Sequence, residues 1–449
     1  MRRGEITRSL HSEFYHPERR LAIKSIQEKW LGKSSSLAQV LNFDERLITY
    51  KPDLFYVGLA NVESETGAFV ETDEQEPEGT CRLFNEGDIL YGKLRPYLNK
   101  VYIAPKSGQC STEFYALSAI DQKKLDHTFL ASFLMSKPFL AQSIHMMTGN
   151  THPRILREDF EEILIPLPPL DVQKTLVAQM ESARATRQSK LAEADNLLTG
   201  IDEFVLRELD IQLPKEEKRQ SFAVKLSKIK QGRQDVTYYK PYYEKLVNSL
   251  NKSKFPKIPL EDISPDLVGG ATPTRGDTEL YAEDGIKFLR ILNIGENEII
   301  LEDLNYIKEI VHNGELKRSQ LAENDVLMTI TGRVGTSAVV SIDILPANIN
   351  QHIVRMRITH QECLPEYLAI YLNSSIGKAL SNRGVTGGTR IALDYEVIKK
   401  IQIPLPPQKV QEKIIKELHS LQSQARQLRQ EAESQWQTAK EKFEKALLG

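Results

Sequence analysis

The feature that most constrains this chain is an internal repeat at an offset of 238 residues. The segment TGNTHPRILREDFEEILIPLPPLDVQ (148–173) aligns with TGGTRIALDYEVIKKIQIPLPPQKVQ (386–411), and 12 of the 26 positions are identical. Upstream, the match continues at lower identity in two further pairs: HTFLASFLMS (127–136) with PEYLAIYLNS (365–374), and GDIL (87–90) with NDVL (324–327). A chain of 449 residues is too long for one ordinary core, so more than one domain is expected. The repeat predicts that these domains are two copies of one folding unit.

Both copies have the same order of predicted elements. A helix led by Tyr and Pro is followed by short strands, a helix, a Thr-Gly loop, a last strand, Pro-Leu-Pro-Pro and a long helix. Proline removes a strand donor and restricts the residue before it, so the prolines fix where the last strand ends. The predicted domains are an N-terminal helical segment (1–36), a globular domain (37–168), a long helix (169–210), a linker with a helical segment (211–258), a second globular domain (259–406) and a second long helix (407–449).

The two long helices carry apolar residues at alternating steps of three and four. This narrow seam runs for about five heptads and is typical of coiled coils. One such helix could equally pack on its own domain, but two matched helices favour pairing with each other. We therefore predict an α+β fold in which two mixed α/β domains are joined by two long antiparallel coiled-coil helices, in a pseudo-twofold internal repeat. The predicted subunit-interface residues lie on the seam: Leu176, Met180, Leu191, Leu198, Ile414, Leu418, Leu428 and Trp436.

The chain lacks the common catalytic motifs. There is no GxxxxGK[ST] phosphate loop, nucleophile elbow or HExxH, and the nine histidines have no metal-ligand spacing. The three cysteines, Cys81, Cys110 and Cys363, are far apart and predict a reducing, cytoplasmic environment without a disulfide or zinc framework. No apolar run is long enough for a membrane span, and the N-terminus does not resemble a signal peptide. We expect no catalysis and no metal site.

Local basic segments predict nucleic-acid contacts, although the net charge of −2 argues against non-specific coating. GDILYGKLRPYLNKVYIAPK (87–106) interleaves basic and tyrosine residues, which suits phosphate and base-edge contacts; the alternative is an ordinary solvated hairpin. Further candidates come from its counterpart NDVLMTITGRVG (324–335), from both Thr-Gly loops and from GGATPTRGD (269–277). The predicted DNA-binding residues are Lys93, Arg95, Tyr97, Lys100, Asn150, Thr151, His152, Arg154, Arg275, Arg333, Thr389 and Arg390.

The repeats share their frame but differ in their loops, as expected for two readers of two different sequences. Two units with variable middles, each ending in I-x-I-P-L-P-P-x-x-x-Q and a long helix, resemble the DNA specificity subunit of type I restriction–modification systems. The resemblance implies that 37–168 and 259–406 are target recognition domains, each reading half of a bipartite site in double-stranded DNA. It also implies that the helices set the gap between the half-sites and dock two modification subunits.

The resemblance further implies partners that supply the chemistry. The modification (methyltransferase) subunits would carry S-adenosylmethionine and methylate adenine, and restriction/translocase subunits would use ATP and Mg, while this chain would hold no cofactor. The alternative from another class is a non-catalytic scaffold whose two domains bind proteins and whose helices oligomerise. A self-contained methyltransferase or nuclease is disfavoured by the missing motifs.

Overall fold

The structure is a computed structural model that describes residues 12–72, 77, 79–215, 221–226, 229, 235–273, 280–386 and 392–448. These residues form two compact units. Unit 1 extends to Ala192 and resumes at Gln427, and unit 2 runs from Glu193 to Arg426. The two long helices, α5 (Leu170–Glu208) and α12 (Gln408–Leu448), cross this division. Each unit therefore contains one end of each long helix, whereas the sequence predicted the long helices as separate domains.

Unit 1 places short helices beside two four-stranded sheets. Its helices are α1 (Pro17–Lys29), α2 (His127–Leu134), α3 (Lys137–Ser143), α4 (Arg157–Glu161), the first part of α5 and the last part of α12. Its strands are β1 (Ser34–Ser36), β2 (Leu41–Asp44), β3 (Leu47–Thr49), β4 (Tyr56–Val57), β5 (Thr80–Phe84), β6 (Ile89–Gly92), β7 (Val101–Ile103), β8 (Gly108–Ser111), β9 (Phe114–Ala119), β10 (Met147–Thr148), β11 (Arg154–Ile155) and β12 (Leu164–Pro166). The sheet orders are β2-β9-β6-β7 and β3-β5-β8-β4.

Unit 2 repeats this plan. Its helices are the last part of α5, α6 (Pro241–Lys252), α7 (Leu260–Ile263), α8 (Glu309–Asn313), α9 (Pro365–Asn373), α10 (Ser375–Arg383), α11 (Tyr395–Lys399) and the first part of α12. Its strands are β13 (Lys257–Pro259), β14 (Leu267–Gly269), β15 (Tyr281–Ala282), β16 (Ile286–Leu289), β17 (Ile294–Gly295), β18 (Glu298–Ile299), β19 (Asn305–Ile307), β20 (Val326–Thr329), β21 (Ser337–Val339), β22 (Ala347–Ile349), β23 (Ile353–Met356), β24 (Val385–Thr386), β25 (Ala392–Leu393) and β26 (Gln402–Pro404).

One sheet is the same in both units and the other has diverged. The order β14-β23-β20-β21 in unit 2 corresponds strand for strand to β2-β9-β6-β7 in unit 1. The second sheet of unit 2 has the order β15-β19-β16-β22, and the counterpart of β5 is reduced to an isolated bridge between Gln320 and Asn348. The common sheet supplies the shared frame, and the divergent sheet accounts for the different lengths of the two middles.

The repeated Pro-Leu-Pro-Pro segments end a strand, as predicted. Strands β12 and β26 stop at Pro166 and Pro404, and each long helix starts within the following four residues. The glutamine of the motif is fully buried and bonds only to backbone groups. Gln173 Oε1 accepts from Asp126 N at 2.9 Å, while its Nε2 donates to Lys124 O at 2.7 Å and Pro168 O at 2.8 Å.

Gln411 in unit 2 makes the same three bonds. Its Oε1 accepts from the backbone N–H of Leu364 at 2.9 Å, and its Nε2 donates to Glu362 O at 2.7 Å and Pro406 O at 2.8 Å. A buried amide with all three partners present stabilises the joint, because a lost partner would leave buried polar groups without hydrogen bonds. The motif therefore joins each globular domain to its long helix.

The long helices pair antiparallel within unit 1. Arg184 lies 5.7 Å from the ring centroid of Trp436, Arg187 Nε is 3.5 Å from Glu433, and Lys190 pairs with Glu431. Residue numbers therefore rise along one helix as they fall along the other. In unit 2 the Lys413 ammonium pairs with Glu208 at 2.8 Å. With the mixed sheets and helices, this pairing confirms the predicted fold class.

Half of the predicted seam residues are buried within the chain. Met180 and Trp436 belong to the core of unit 1, and Ile414 and Leu418 belong to the core of unit 2. Their side chains are covered within this chain and contribute to the packing of the helices on the globular domains. Partial burial is found for the other four seam residues: Leu176, Leu191, Leu198 and Leu428. Among the described residues, no helix has the length and apolar character needed to cross a bilayer.

Candidate nucleic-acid interface

Two segments that were predicted separately to contact DNA lie side by side in unit 1. The turn after β6 and the Thr-Gly loop are joined by an antiparallel bridge between Leu94 and Arg154. The backbone N–H of Arg95 donates to Pro153 O at 2.7 Å, and that of Ile155 donates to Lys93 O at 3.1 Å. The two segments therefore form one continuous surface, which we call reading surface 1 and define as residues 93–100 and 148–154.

The turn in reading surface 1 is held in a left-handed backbone conformation. Arg95 has φ 51° and Asn99 has φ 49°, with the 3-10 turn Pro96–Leu98 between them. A left-handed non-glycine residue costs about 1 kcal/mol, so the surroundings must hold the turn. Asn99 does so from a buried position, because its Nδ2 donates to Met135 O at 2.9 Å. The side chains of Arg95 and Tyr97 remain exposed on the tip.

Two of the predicted basic residues are already bound inside the chain. The Arg154 guanidinium holds Glu113 through two bonds, Nε–Oε2 at 3.0 Å and Nη2–Oε1 at 2.8 Å. This pairing lowers the pKa of Glu113 and raises that of Arg154. Lys100 donates to Leu59 O at 2.7 Å. These contacts support a positioning role for Arg154 and Lys100, which brace the loop and the turn.

The remaining predicted residues of reading surface 1 offer donors toward solvent. Lys93 is half-buried with its ammonium 5.5 Å from the Tyr115 ring centroid, and burial lowers its pKa, with Glu113 opposing that shift. Exposed polar side chains on the adjoining loop complete the surface: Asn150, Thr151 and His152. Cations beside amides and a hydroxyl suit contacts to phosphates and base edges.

In unit 2 an equivalent bridge joins the corresponding two segments, which carry different side chains. The bridge between Thr331 and Ala392 corresponds to that between Leu94 and Arg154, and Leu393 N donates to Ile330 O at 2.9 Å. Gly332, with φ 65°, stands where Arg95 stands in the repeat. The exposed Arg333 follows one position later and donates through Nη2 to Ile294 O at 3.2 Å. We call 330–335 with Ala392–Leu393 reading surface 2.

Three predicted residues lie outside the described residues: Arg275, Thr389 and Arg390. Sequence reasoning also missed a pair of asparagines that support the reading surfaces. Asn61 Oδ1 accepts from Gly58 N at 2.8 Å, and Asn293 Oδ1 accepts from Arg290 N at 3.0 Å. Each caps a 3-10 turn beside the surface, Leu59–Asn61 or Ile291–Asn293. The sequence does contain a signal for this pair, because LANV (59–62) aligns with ILNI (291–294) at an offset of 232. Glu113 was missed because its partner is 41 residues away.

Comparison with known proteins relates the chain to one family. Residues 56–193 and 252–434 match a family model described as Type I restriction modification DNA specificity domain. The chain is 26% identical over 300 residues to the type I restriction enzyme EcoBI specificity subunit of Escherichia coli, an alignment covering 64% of this chain and 58% of that protein. It is 24% identical over 380 residues to the MjaVIII specificity subunit of Methanocaldococcus jannaschii, covering 82% and 79%. Against the EcoDI specificity subunit of Escherichia coli, the alignment covers 47% of that protein.

A solved structure shares the fold. A chain from work on complex assembly and conformational transition of the type I R-M system matches with a TM-score of 0.50 at 18% identity, covering 92% of this chain and 96% of that chain. The family match spans most of the sequence, from residue 56 to 193 and from 252 to 434, and both reading surfaces lie within it. The chain belongs to the type I restriction–modification DNA specificity domain family.

Proposed function

We propose that this chain is the DNA specificity subunit of a type I restriction–modification complex. The observation that carries the proposal is the pair of equivalent bridges, Leu94–Arg154 and Thr331–Ala392. The first joins a left-handed turn to the Thr-Gly loop of unit 1, and the second joins the corresponding turn to β25 of unit 2. The frame is shared, and the side chains that it displays differ. This arrangement is expected of two readers that approach DNA alike and distinguish different sequences.

Each reading surface would contact one half of a bipartite site in double-stranded DNA. Arg95 and Arg333 are the exposed guanidiniums at the tips of the two turns, and a guanidinium can pair with a guanine edge through two hydrogen bonds. Lys93, Tyr97, Asn150, Thr151 and His152 would add phosphate and base contacts in the first half. Arg275, Thr389 and Arg390 remain proposed contacts in the second half.

Partner subunits would supply the chemistry. Two adenine-specific methyltransferase subunits carrying S-adenosylmethionine would dock on the helix pair, and restriction/translocase subunits would use ATP and Mg. The exposed faces of α5 and α12 are the candidate docking surfaces, because the buried seam residues are occupied within this chain. Within this proposal the chain works in the cytoplasm, performs no catalysis and holds no S-adenosylmethionine or ATP.

The experiment is methylome sequencing of a host that carries the complete system with variants of this chain. R95G removes the side chain and installs the residue that the second repeat uses at the left-handed position, so it should not strain the turn. R333A removes the other guanidinium. We expect R95G to relax the first half-site and R333A the second, with a loss of about 1–3 kcal/mol of discrimination at the base concerned.

The charge-preserving variants R95K and R333K are the matched controls. They keep the phosphate attraction but lose the planar fork, so methylation should persist with relaxed sequence preference. If R95G and R333A altered the same half-site, the assignment of one half-site to each unit would be wrong. The scaffold alternative is not favoured by the family match; it would be revived if site-specific methylation by the partner subunits did not require this chain.

A further inference from the structure

Two histidines and a glutamate converge at the entry to unit 1, away from reading surface 1. Glu13 lies in the 3-10 turn Ser12–Tyr15, and His16 is the N-cap of α1. His145 lies in the 3-10 turn Ile144–Met146, which follows α3. One donor atom from each residue lies within 4.8 Å of the other two. Residues distant in sequence are thus brought together with the donor types that divalent transition metals prefer.

The spacing of these donors is close to that of a coordination shell. Glu13 Oε2 is 3.1 Å from His145 Nδ1, and the two imidazole rings stack with centroids 3.8 Å apart. Metal–nitrogen and metal–oxygen bonds of about 2.0–2.2 Å in tetrahedral geometry place neighbouring ligand atoms roughly 3.3–3.5 Å apart. The closest pair, at 3.1 Å, is slightly shorter than this separation, and the third donor lies within 4.8 Å, so His16 must turn out of its stack on His145 to complete the shell.

Both histidines have a nitrogen that the fold does not fully use. The Nδ1 of His16 accepts from Glu18 N at 3.3 Å, which leaves its Nε2 for another partner. His145 is largely buried, and its Nε2 has no hydrogen-bond partner, although Glu18 Oε2 is 3.5 Å away. The His145 imidazole as a whole lies between two carboxylates, with Nδ1 facing Glu13 and Nε2 facing Glu18, and either nitrogen is of the type that binds a metal ion.

The elements that carry the three donors are already tied together by a buried arginine. Arg19 Nη1 donates to Phe14 O at 3.0 Å, and its guanidinium carbon is 4.1 Å from the Phe14 ring centroid. On the other side, Arg19 Nε contacts Met146 Sδ at 3.3 Å. Residues adjacent to Glu13 and to His145 are therefore fixed relative to each other. A preorganised donor set lowers the ordering cost of binding an ion.

In the second repeat, the segment before α6 contacts the end of α10 through residues that are not metal ligands. The segment FYHP (14–17) aligns with YYKP (238–241) at an offset of 224, which places Thr237 and Lys240 at the positions of Glu13 and His16. Arg383 takes the position of His145 at the offset of 238. Arg383 Nε donates to Tyr238 O at 3.2 Å, with its guanidinium carbon 4.4 Å from the Tyr238 ring centroid. In unit 2 a guanidinium therefore contacts the segment that opens the repeat. The corresponding contact in unit 2 therefore forms without these three donors.

We propose that Glu13, His16 and His145 bind one divalent first-row transition-metal ion, such as Zn²⁺, with Glu18 or water completing the shell. Two imidazoles and one carboxylate suit zinc and disfavour Mg²⁺, which prefers oxygen ligands. The ion would fasten the segment that opens unit 1 to the end of α3, where unit 2 uses Arg383. This site is independent of DNA reading, so the proposal does not rest on the proposed function.

The test uses the full chain after chelator treatment and dialysis. Titration with Co²⁺ should give visible absorption bands that saturate at one ion per chain, and Zn²⁺ should displace the cobalt. The H16K/H145R variant installs the residues of the second repeat and should lose affinity by at least 10–100-fold, on the order expected when a ligand or its support is lost. Hydrogen exchange in residues 12–16 should slow with Zn²⁺ in the original chain only.

Controls keep the result decisive. Circular dichroism should show that H16K/H145R folds; if it does not, the single variant E13T supplies the same comparison. Mg²⁺ should neither produce the exchange protection nor displace Co²⁺. The proposal is overturned if the original chain and a folded variant bind Co²⁺ with equal affinity, or if the original chain shows no saturable binding.

Discussion

The carboxylate of Glu444 accepts a hydrogen bond from the backbone N–H of Lys137 at 2.8 Å, across 307 residues of sequence. Lys137 opens α3, whose N-cap Ser136 makes no side-chain capping bond. In unit 2, Asp202 Oδ1 accepts from Ser375 N at 2.7 Å, and Ser375 occupies the position of Lys137 in the repeat. In each globular domain, the start of one helix (α3 or α10) is therefore capped by a carboxylate from the long helix of the other repeat. A single repeat would lack this cap.

Removing the Glu444 carboxylate should destabilise unit 1. Because Glu444 is 7% exposed and supplies the cap that Ser136 does not, E444A should cost about 1–2 kcal/mol in unfolding free energy. Denaturant unfolding with hydrogen exchange would measure the loss and locate it to α3. E441A, on the exposed face of the same helix, is the matched control and should change stability by less than about 0.5 kcal/mol. Equal effects of the two variants would contradict the capping role.

The buried glutamines should be among the most sensitive residues of the chain. Q173A leaves one N–H and two carbonyls of buried backbone without their partner, and we expect a loss of about 2–5 kcal/mol. Q411A should act similarly in unit 2. Chemical denaturation would measure both, with the exposed Q179A on the same helix as a near-neutral control. A Q173A loss no larger than that of Q179A would refute the bracing role.

The Glu113–Arg154 pair should give an acid-dependent contribution to stability. Hydrogen bonding to Arg154 lowers the pKa of Glu113 below its ordinary value in the folded chain. The stabilisation is therefore complete above the unfolded pKa of about 4.5 and is lost as pH falls through the folded pKa. R154A should flatten the decline of unfolding free energy between about pH 5 and 3.

The reference for that measurement is E113Q, which removes the titrating carboxyl and should flatten the same part of the curve. Other carboxylates titrate in all three proteins, so the difference between the curves isolates the pair. Parallel curves for the original chain, R154A and E113Q would show that the pair does not couple to folding.

Lengthening the helix pair should change the spacing of the DNA site. The antiparallel seam means that one heptad must be inserted into both helices, between 192 and 193 and between 426 and 427, to keep the register. This adds about 10 Å of helix. Methylome sequencing should then report a longer gap between unchanged half-sites. Insertion into one helix alone should mismatch the seam and lower stability, and an unchanged gap in the folded double insertion would exclude the spacer role.

Repetition made much of the fold predictable. Strand ends at Pro166 and Pro404 and the two long helices follow from local rules for proline and from the periodic apolar seam. The repeat also identified which loops diverge. Arg95 and Arg333 were paired from this alignment, and the structure places their loops in equivalent joints with Gly332 as the positional match of Arg95.

The rest depends on contacts between distant residues. Nothing local to Glu444 indicates that it caps Lys137, and nothing local to Arg154 indicates that Glu113 binds its guanidinium. The sequence also treated all seam residues alike, although Trp436 and Ile414 pack against different globular cores. Side-chain partners of this kind are chosen by the tertiary arrangement, which periodicity does not report.

The partners of Gln173 and Gln411 have an evolutionary consequence. All six partners are main-chain groups, so these hydrogen bonds depend on the course of the backbone and not on which side chains the neighbouring residues carry. A globular domain with an unrelated surface would make the same bonds to the glutamine if its backbone followed the same course beside the long helix. Exchange of whole domains between related genes would thus create a new specificity in one step, while Gln173, Gln411 and the two long helices stayed the same.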